Sequence, residues 1–449
     1  MRLFVGNQHA RGKTRAHLAL AIALVAGTAT GIVGFAEPAH AAKKEKKSKA
    51  SYSKEFVEAF TQLETAVKAE GTDIAALSSQ FPGLVALSLS PAEQLASGNL
   101  IYNAGAKLSD RNLQLQGMEL MLASGQVPVE NQGQYNFVAY QLANASGKYS
   151  EARQYIEMAI QQNFSSDTVT PAVMKVAAAE TFFSEQRVPE GLDYLKSAIK
   201  AQKVAGLPVD ESWYTRGLTI AYRDGVRPQV YQIVSGWVTD YPTTNNWRDA
   251  VNIARNLENY ESAEMLDLMR LGFARDTFEN KQSYIEYVEA ADPRRMPKEV
   301  QTAIEHGYAT GRVSRDDIFL ADALKMATSR IKSDRAELPA LERDARAASA
   351  GLKTVVAAGD TFLNYADYAK AEEFYVKASG MAGADVNLVK TRLGISQALQ
   401  GKYVEAEASL AGVQGARTAL AMLWTAYVRE KAAETAPAVE KAAAEAPAG

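Results

Sequence analysis

The sequence predicts an all-α protein built as an array of helical hairpins, and three observations carry that expectation. From Glu55 onward, amphipathic segments with helical spacing alternate with short turns. No segment sustains the alternation of apolar and polar residues between hairpin signals that a half-buried strand needs. A short pattern of glycine, tyrosine and alanine recurs along the chain, and two of its clearest copies lie 35 residues apart. The 449 residues are 47% apolar and 22% charged, ample material for a core, and a repeat array can use such a length as one continuous object.

At the N-terminus, Arg2, Arg11, Lys13 and Arg15 precede an uncharged apolar run, 18–35. Ala39-His40-Ala41 follows with small-x-small cleavage spacing, so residues 1–41 are expected to be a cleavable signal peptide. The mature chain is then exported, to the periplasm or the cell envelope. The run is near the length of a short membrane span, which leaves a retained leader and membrane contact as the alternative. Residues 42–52, with Lys43, Lys44, Lys46, Lys47 and Lys49, read as a basic flexible linker. Residues 1–41 carry four basic residues against Glu37, so their removal takes the formal charge from −3 to −6. Mild acidity argues against nucleic acid as the main partner. The chain has no cysteine, which excludes disulfides, thiolate metal sites and cysteine nucleophiles.

Residues 53–90 read as an N-terminal helical segment. A helix over 53–70 is stopped by Gly71, and a looser stretch runs from Phe81-Pro82-Gly83 to Ser90-Pro91. Helix pairs are then expected at 92–105 with 110–124, 130–146 with 149–162, 170–184 with 188–203, and 210–223 with 227–239. They continue at 244–256 with 260–272, 280–291 with 297–308, 315–332 with 337–349, 351–364 with 367–380, and 386–400 with 403–413. Thr170-Pro171 and Asp210 suit helix starts, and Gly225 and Gly307 suit helix ends. A last helix near 416–431 has no partner after it and reads as a cap that closes the array over 91–431. The Ala-, Glu- and Pro-rich tail, 432–449, reads as disordered.

The recurring pattern is Gly-x-Tyr-x-x-Ala-x-x-x-large-x-x-Ala. It stands at Gly147-Lys148-Tyr149 with Ala152, Ile156 and Ala159, and at Gly401-Lys402-Tyr403 with Ala406 and Leu410. Related copies are Tyr368 with Ala371, Tyr375 and Ala378, and Tyr260 with Ala263. The alanine lets two helix backbones approach, and the large and small residues four and seven positions on share its face. Small residues upstream, Gly359 and Gly394, fall about twelve positions before the alanine, and Trp247 lies sixteen before Ala263. Weaker copies stand at Gly191, Val230 and Val300; along the series Ala152, Gly191, Val230, Ala263 and Val300 the intervals are 39, 39, 33 and 37 residues. The pattern resembles the second helix of a tetratricopeptide repeat. That resemblance, over residues 92–431, implies a right-handed α-solenoid whose first helices line a groove for a protein or peptide partner.

Little in the sequence suggests catalysis. His9, His17 and His40 lie in the leader, leaving His306, which sits near a helix end where an imidazolium favours the helix dipole. No zincin pair, EF-hand or phosphate loop is present, so no metal and no cofactor is expected. Glu211-Ser212 matches a dipeptide at the catalytic glutamate of some cell-wall lytic transglycosylases. Here it lies at a helix start in the middle of a repeat, where the dipole accounts for the acid.

The repeat phase places groove candidates at Gln134, Phe137, Gln141 and Asn144, at Glu180, and at Thr219, Tyr222 and Arg223. A further set is Asn245, Arg248, Asn252, Arg255 and Asn256. Arg248, Asn252 and Arg255 stand at i, i+4 and i+7 and share a face that could fork a carboxylate or bond an extended peptide. The expectation is a non-catalytic exported scaffold that engages an acidic or C-terminal peptide of an envelope or secretion partner. The alternatives are a cell-wall or carbohydrate-associated protein, and a membrane-anchored assembly factor if the leader is kept.

Overall fold

A computed structural model describes residues 52–445, with side chains to residue 435. The leader of residues 1–41 and all but the last residue of the basic linker lie outside the described residues. Every regular element described is helical. The chain divides into two units, the first ending at Pro208 and the second beginning at Val209. The segment 91–431, expected as one array, is therefore shared between two units.

In the N-terminal unit, α1 (Lys54–Lys68) is capped by Ser53, whose Oγ accepts from Phe56 N. The chain leaves it through Gly71 at φ +76°, a conformation that glycine adopts without strain. Then come α2 (Ile74–Leu77), a 3-10 turn and α3 (Phe81–Leu87). The stretch expected to be loose is thus helical as far as Leu87, and non-helical only over residues 88–90. Pro82 sits in the first turn of α3, where its missing N–H has no partner to lose, and Phe81 and Leu84 enter a core with Phe56, Leu63 and Ile101.

Three hairpins follow: α4 (Pro91–Leu108) with α5 (Arg111–Ala123), α6 (Val129–Ala145) with α7 (Tyr149–Gln161), and α8 (Pro171–Ser184) with α9 (Val188–Val204). In the first of them the backbones touch. A Cβ on Gly98 would stand 2.6 Å from the Gly117 carbonyl oxygen, and one on Gly117 would stand 2.4 Å from Tyr102 N. In α7 the repeat residues Ala152, Ile156 and Ala159 are fully buried, as their shared face requires. Successive second helices are also tied by tyrosines: Tyr155 donates to Glu119 at 3.1 Å, and Tyr194 donates to Glu157.

The C-terminal unit contains α10 (Glu211–Arg223) with α11 (Gln229–Asp240), α12 (Thr244–Leu257) with α13 (Ser262–Ala274), and α14 (Lys281–Ala291) with α15 (Pro297–Ala309). A long helix, α16 (Ile318–Arg346), leads to α17 (Leu352–Asn364) with α18 (Tyr368–Ser379) and α19 (Val386–Leu399) with α20 (Tyr403–Ala411). The last element is α21 (Thr418–Glu445). Ala371 and Ala406 are fully buried. Gly359 lies under the Tyr375 ring and Gly394 under Leu410, each so close that a Cβ would collide.

Four expectations are corrected in this unit. The pair expected at 315–332 and 337–349 is the single helix α16, which runs through Pro339. Proline removes one intrahelical bond, but Pro339 and Arg335 are both exposed, so water can serve the freed carbonyl. Gly307 lies inside α15, packed against Tyr284 and Val313, and the left-handed turn falls instead at Gly311. The last helix starts at Thr418 and continues to Glu445, through most of the tail expected to be disordered; alanine, glutamate and lysine are strong helix formers.

Nor is α21 a cap with one free side. Ala419, Leu420, Ala421, Leu423, Trp424, Ala426, Tyr427 and Val428 are all buried, because the helix lies between α11–α13 and α19–α20. A helix that is apolar all round must be enclosed, and here the array folds back to enclose it. A buried ionic cluster marks the fold-back. Asp267 of α13 receives Arg270 of its own helix at 2.7 Å, Arg392 of α19 at 3.3 Å and Arg417, just before α21, at 2.7 Å. Arg392 also reaches Asp360 of α17 at 2.6 Å, and Trp424 Nε1 donates to the Asp267 carbonyl at 3.1 Å. Burial opposes ionisation of Asp267, yet Arg392, Arg270 and Arg417 together hold its carboxyl below the ordinary value.

Candidate binding groove between helices α12 and α14

Thr243 caps α12 through its Oγ1, which accepts from Asn246 N. Trp247, Ala250, Val251, Ile253 and Ala254 form the buried face of this helix. That phase leaves Arg248, Asn252 and Arg255 half-buried on the opposite side, where they line one polar groove. The facing wall is α14 and the turn before it, with Glu279, Gln282, Ser283 and Glu286. Val251, Met269 and Phe278 form the floor, and the cavity measures about 190 Å³.

Neither arginine is free. Arg248 pairs with Glu279 at 2.6 Å, and its guanidinium also donates to the Thr277 carbonyl and to Asn245 Oδ1. Arg255 pairs with Glu286 at 2.8 Å. Glu286 in turn accepts from Gln282 at 3.4 Å. Both ion pairs span the groove from wall to wall, and both join residues separated by 31 positions. Burial raises the nearby Asp249 carboxyl above its ordinary value, with Arg248 opposing the rise.

The other candidates lie apart from this groove. Asn256 Nδ2 donates to Tyr222 Oη at 3.4 Å, linking α12 to α10. Arg223 is exposed and paired with its neighbour Asp224 at 2.6 Å. Thr219 Oγ1 bonds back to the Thr215 carbonyl within α10. In the N-terminal unit, Gln134 is exposed and Gln141, Asn144 and Glu180 are half-buried. Phe137 packs its ring, tilted, against those of Phe164 and Tyr140, which makes it a packing residue of its hairpin.

Residues set aside in the sequence have structural work. Glu211 accepts from Trp237 Nε1 at 2.9 Å and from Asn246 Nδ2 at 3.1 Å, so its carboxylate joins α10, α11 and α12. Trp247 Nε1 donates to Glu430 of α21 at 2.9 Å, and Arg275 pairs with the same carboxylate at 2.8 Å. His306 stands in the last turn of α15, with Nδ1 3.0 Å from Tyr284 Oη and its ring edge-on to Phe273.

Sequence reading missed Glu279 and Glu286. The one signal that could have exposed them is their common offset of 31 from Arg248 and Arg255, close to the repeat length. Among the described residues no group of three acidic or histidine side chains is gathered as for a metal ion, and no helix is long and apolar enough to cross a membrane. No family model matches the chain, and no curated protein matches it.

Proposed function

We propose that the chain is an exported, non-catalytic, right-handed α-solenoid of the tetratricopeptide type that binds a protein or peptide partner in the cell envelope. The observation that carries this reading is the groove between α12 and α14. It is built on two successive first helices, and half-buried polar side chains line it over an apolar floor. Stacked hairpins bury contacts mainly with neighbours and leave such faces for ligands. Export rests on the basic, apolar and small-residue order of residues 1–41. Fold analogy links the architecture to binding, and so the test is direct.

A photo-crosslinking residue placed at Asn252, and separately at Gln141, in the full chain made in its native cell should trap a discrete protein adduct. The same residue at the exposed Val376, on a second helix, should not. Equal labelling at all three positions, or none at Asn252 and Gln141, removes the reading. N-terminal sequencing of the exported protein should begin at Ala42 or Lys43; a chain that keeps its leader favours an anchored factor.

A further inference from the structure

The groove between α12 and α14 differs in one respect from the carboxylate-binding face that its arginines suggest: it carries no net charge. Arg248 and Arg255 stand against Glu279 and Glu286, and each arginine already holds a carboxylate at 2.6–2.8 Å. An acidic ligand would have to displace one of these glutamates and leave it beside the incoming charge. It would exchange one ion pair for another and add a repulsion, so its charge wins nothing.

The uncommitted groups lie between the two ion pairs. Among the described residues, the side chains of Asn252 on α12 and Ser283 on α14 have no hydrogen-bond partner. Both are neutral, and both can donate and accept. An asparagine amide matches a peptide unit with one bond in each direction, and a serine hydroxyl on the other wall can complete the second edge. Below them, Val251, Met269 and Phe278 offer an apolar floor. The space of about 190 Å³ is that of about six water molecules, enough for a short stretch of backbone with a small side chain.

We infer that this groove recognises an uncharged, extended peptide segment through its backbone amides, with the two arginine–glutamate pairs acting as a filter against charged partners. This rests on the peptide-binding reading and names the chemistry of its ligand. It also reverses the acidic preference expected from Arg248, Asn252 and Arg255 alone.

The test uses the full mature chain and two dye-labelled pools of blocked hexapeptides, followed by fluorescence anisotropy. One pool contains only Gly, Ala, Ser, Asn and Val; in the other, two positions are Asp or Glu. The uncharged pool should bind more tightly, with affinity nearly unchanged between about 50 and 500 mM salt, because screening acts on unpaired charge. Asn252→Ala with Ser283→Ala should weaken that binding about tenfold, the loss of one to two good hydrogen bonds. Glu279→Gln with Glu286→Gln leaves both arginines without a counter-charge and should switch the preference to the acidic pool, with strong salt dependence. Tighter binding of the acidic pool by the unaltered chain, or no loss on changing Asn252 and Ser283, overturns the inference. Failure of both pools also overturns it. Crosslinking at Gln141 would then decide separately whether the chain binds a protein at all.

Discussion

In the N-terminal unit the buried charges are local in reach. Glu93 accepts from the backbone N–H groups of Ser53 and Ser90, and Arg153 lies over the Phe182 ring and pairs with Glu185. In the C-terminal unit, Asp267 gathers arginines from positions 125 and 150 residues further along the chain. The difference follows from architecture. A plain stack of hairpins needs only neighbour contacts, and an alanine or glycine in each interface supplies them. An array that folds back around its own last helix must fix one register between distant segments. Apolar side chains pack in many ways, but three guanidinium groups satisfy one buried carboxylate in few, so the ionic cluster is suited to fixing the register of the closure.

The largest expected effect tests that contrast. Asp267→Ala leaves Arg270, Arg392 and Arg417 buried beside one carboxylate fewer, and should cost about 3–5 kcal/mol. All four tryptophans, Trp213, Trp237, Trp247 and Trp424, lie beyond Val209, so their fluorescence reports the C-terminal unit alone. In urea, this variant should lower the fluorescence midpoint and leave a separate helical transition in far-UV circular dichroism. Gly117→Ala is the converse probe. Its new methyl would meet the backbone of α4 at Tyr102 and Gly98, and backbone cannot turn aside as a side chain can. A loss of roughly 1–3 kcal/mol is expected in circular dichroism, with the tryptophan transition unmoved. If both variants shift both signals equally, the units unfold as one and the comparison fails.

How far the sequence could be read follows the same division. The N-terminal hairpins were legible because each rests on local signals: the Thr170-Pro171 start, the Gly147 turn and the Tyr149–Ala152 pattern all act within one hairpin. Helix α16 was misread as two helices, 315–332 and 337–349, although no glycine or proline lies in the supposed gap 333–336; exposure of the turn around Pro339 makes the one proline inside it tolerable. The fate of α21 was half visible. A ten-residue run with hardly a polar position, 419–428, cannot cover an end with one face, but nothing local names the helices that enclose it. The groove was legible on one wall, since the spacing of Arg248, Asn252 and Arg255 is a property of one helix. Its charge was not, because Glu279 and Glu286 arrive from the next repeat.

A smaller effect sharpens the picture of local reach. The backbone N–H groups of Ser53 and Ser90 hold the Glu93 carboxyl down at about 2, well below the usual carboxylate range. Because the folded value is depressed, the ionised form contributes stability above the ordinary carboxylate value, and that contribution is lost as pH falls towards 2. Glu93→Gln should therefore cost roughly 0.5–2 kcal/mol near neutral pH, as the capping box is broken. The gap between variant and parent should close on acidification, and a gap independent of pH would assign Glu93 to packing alone.

The smallest effect concerns the ties between successive second helices. Burial, and then the bond to and charge of Glu157, push the Tyr194 hydroxyl up to about 12 from its ordinary value of 10. The folded chain keeps that proton at a pH where the unfolded chain has released it. The contribution is complete below the unfolded value and disappears as pH rises through the folded one. Tyr194→Phe should cost only about 0.5–1 kcal/mol at neutral pH, since the site is half open to water and the ring still packs on Phe182. Its distinguishing mark is the alkaline limb. Between about pH 10 and 12 the parent should lose stability faster than the variant, read as urea midpoints in circular dichroism. Parallel alkaline limbs would mean that the tyrosine–carboxylate ties accompany the stacking of these helices without supporting it, and that the glycine and alanine contacts alone hold the hairpins in order.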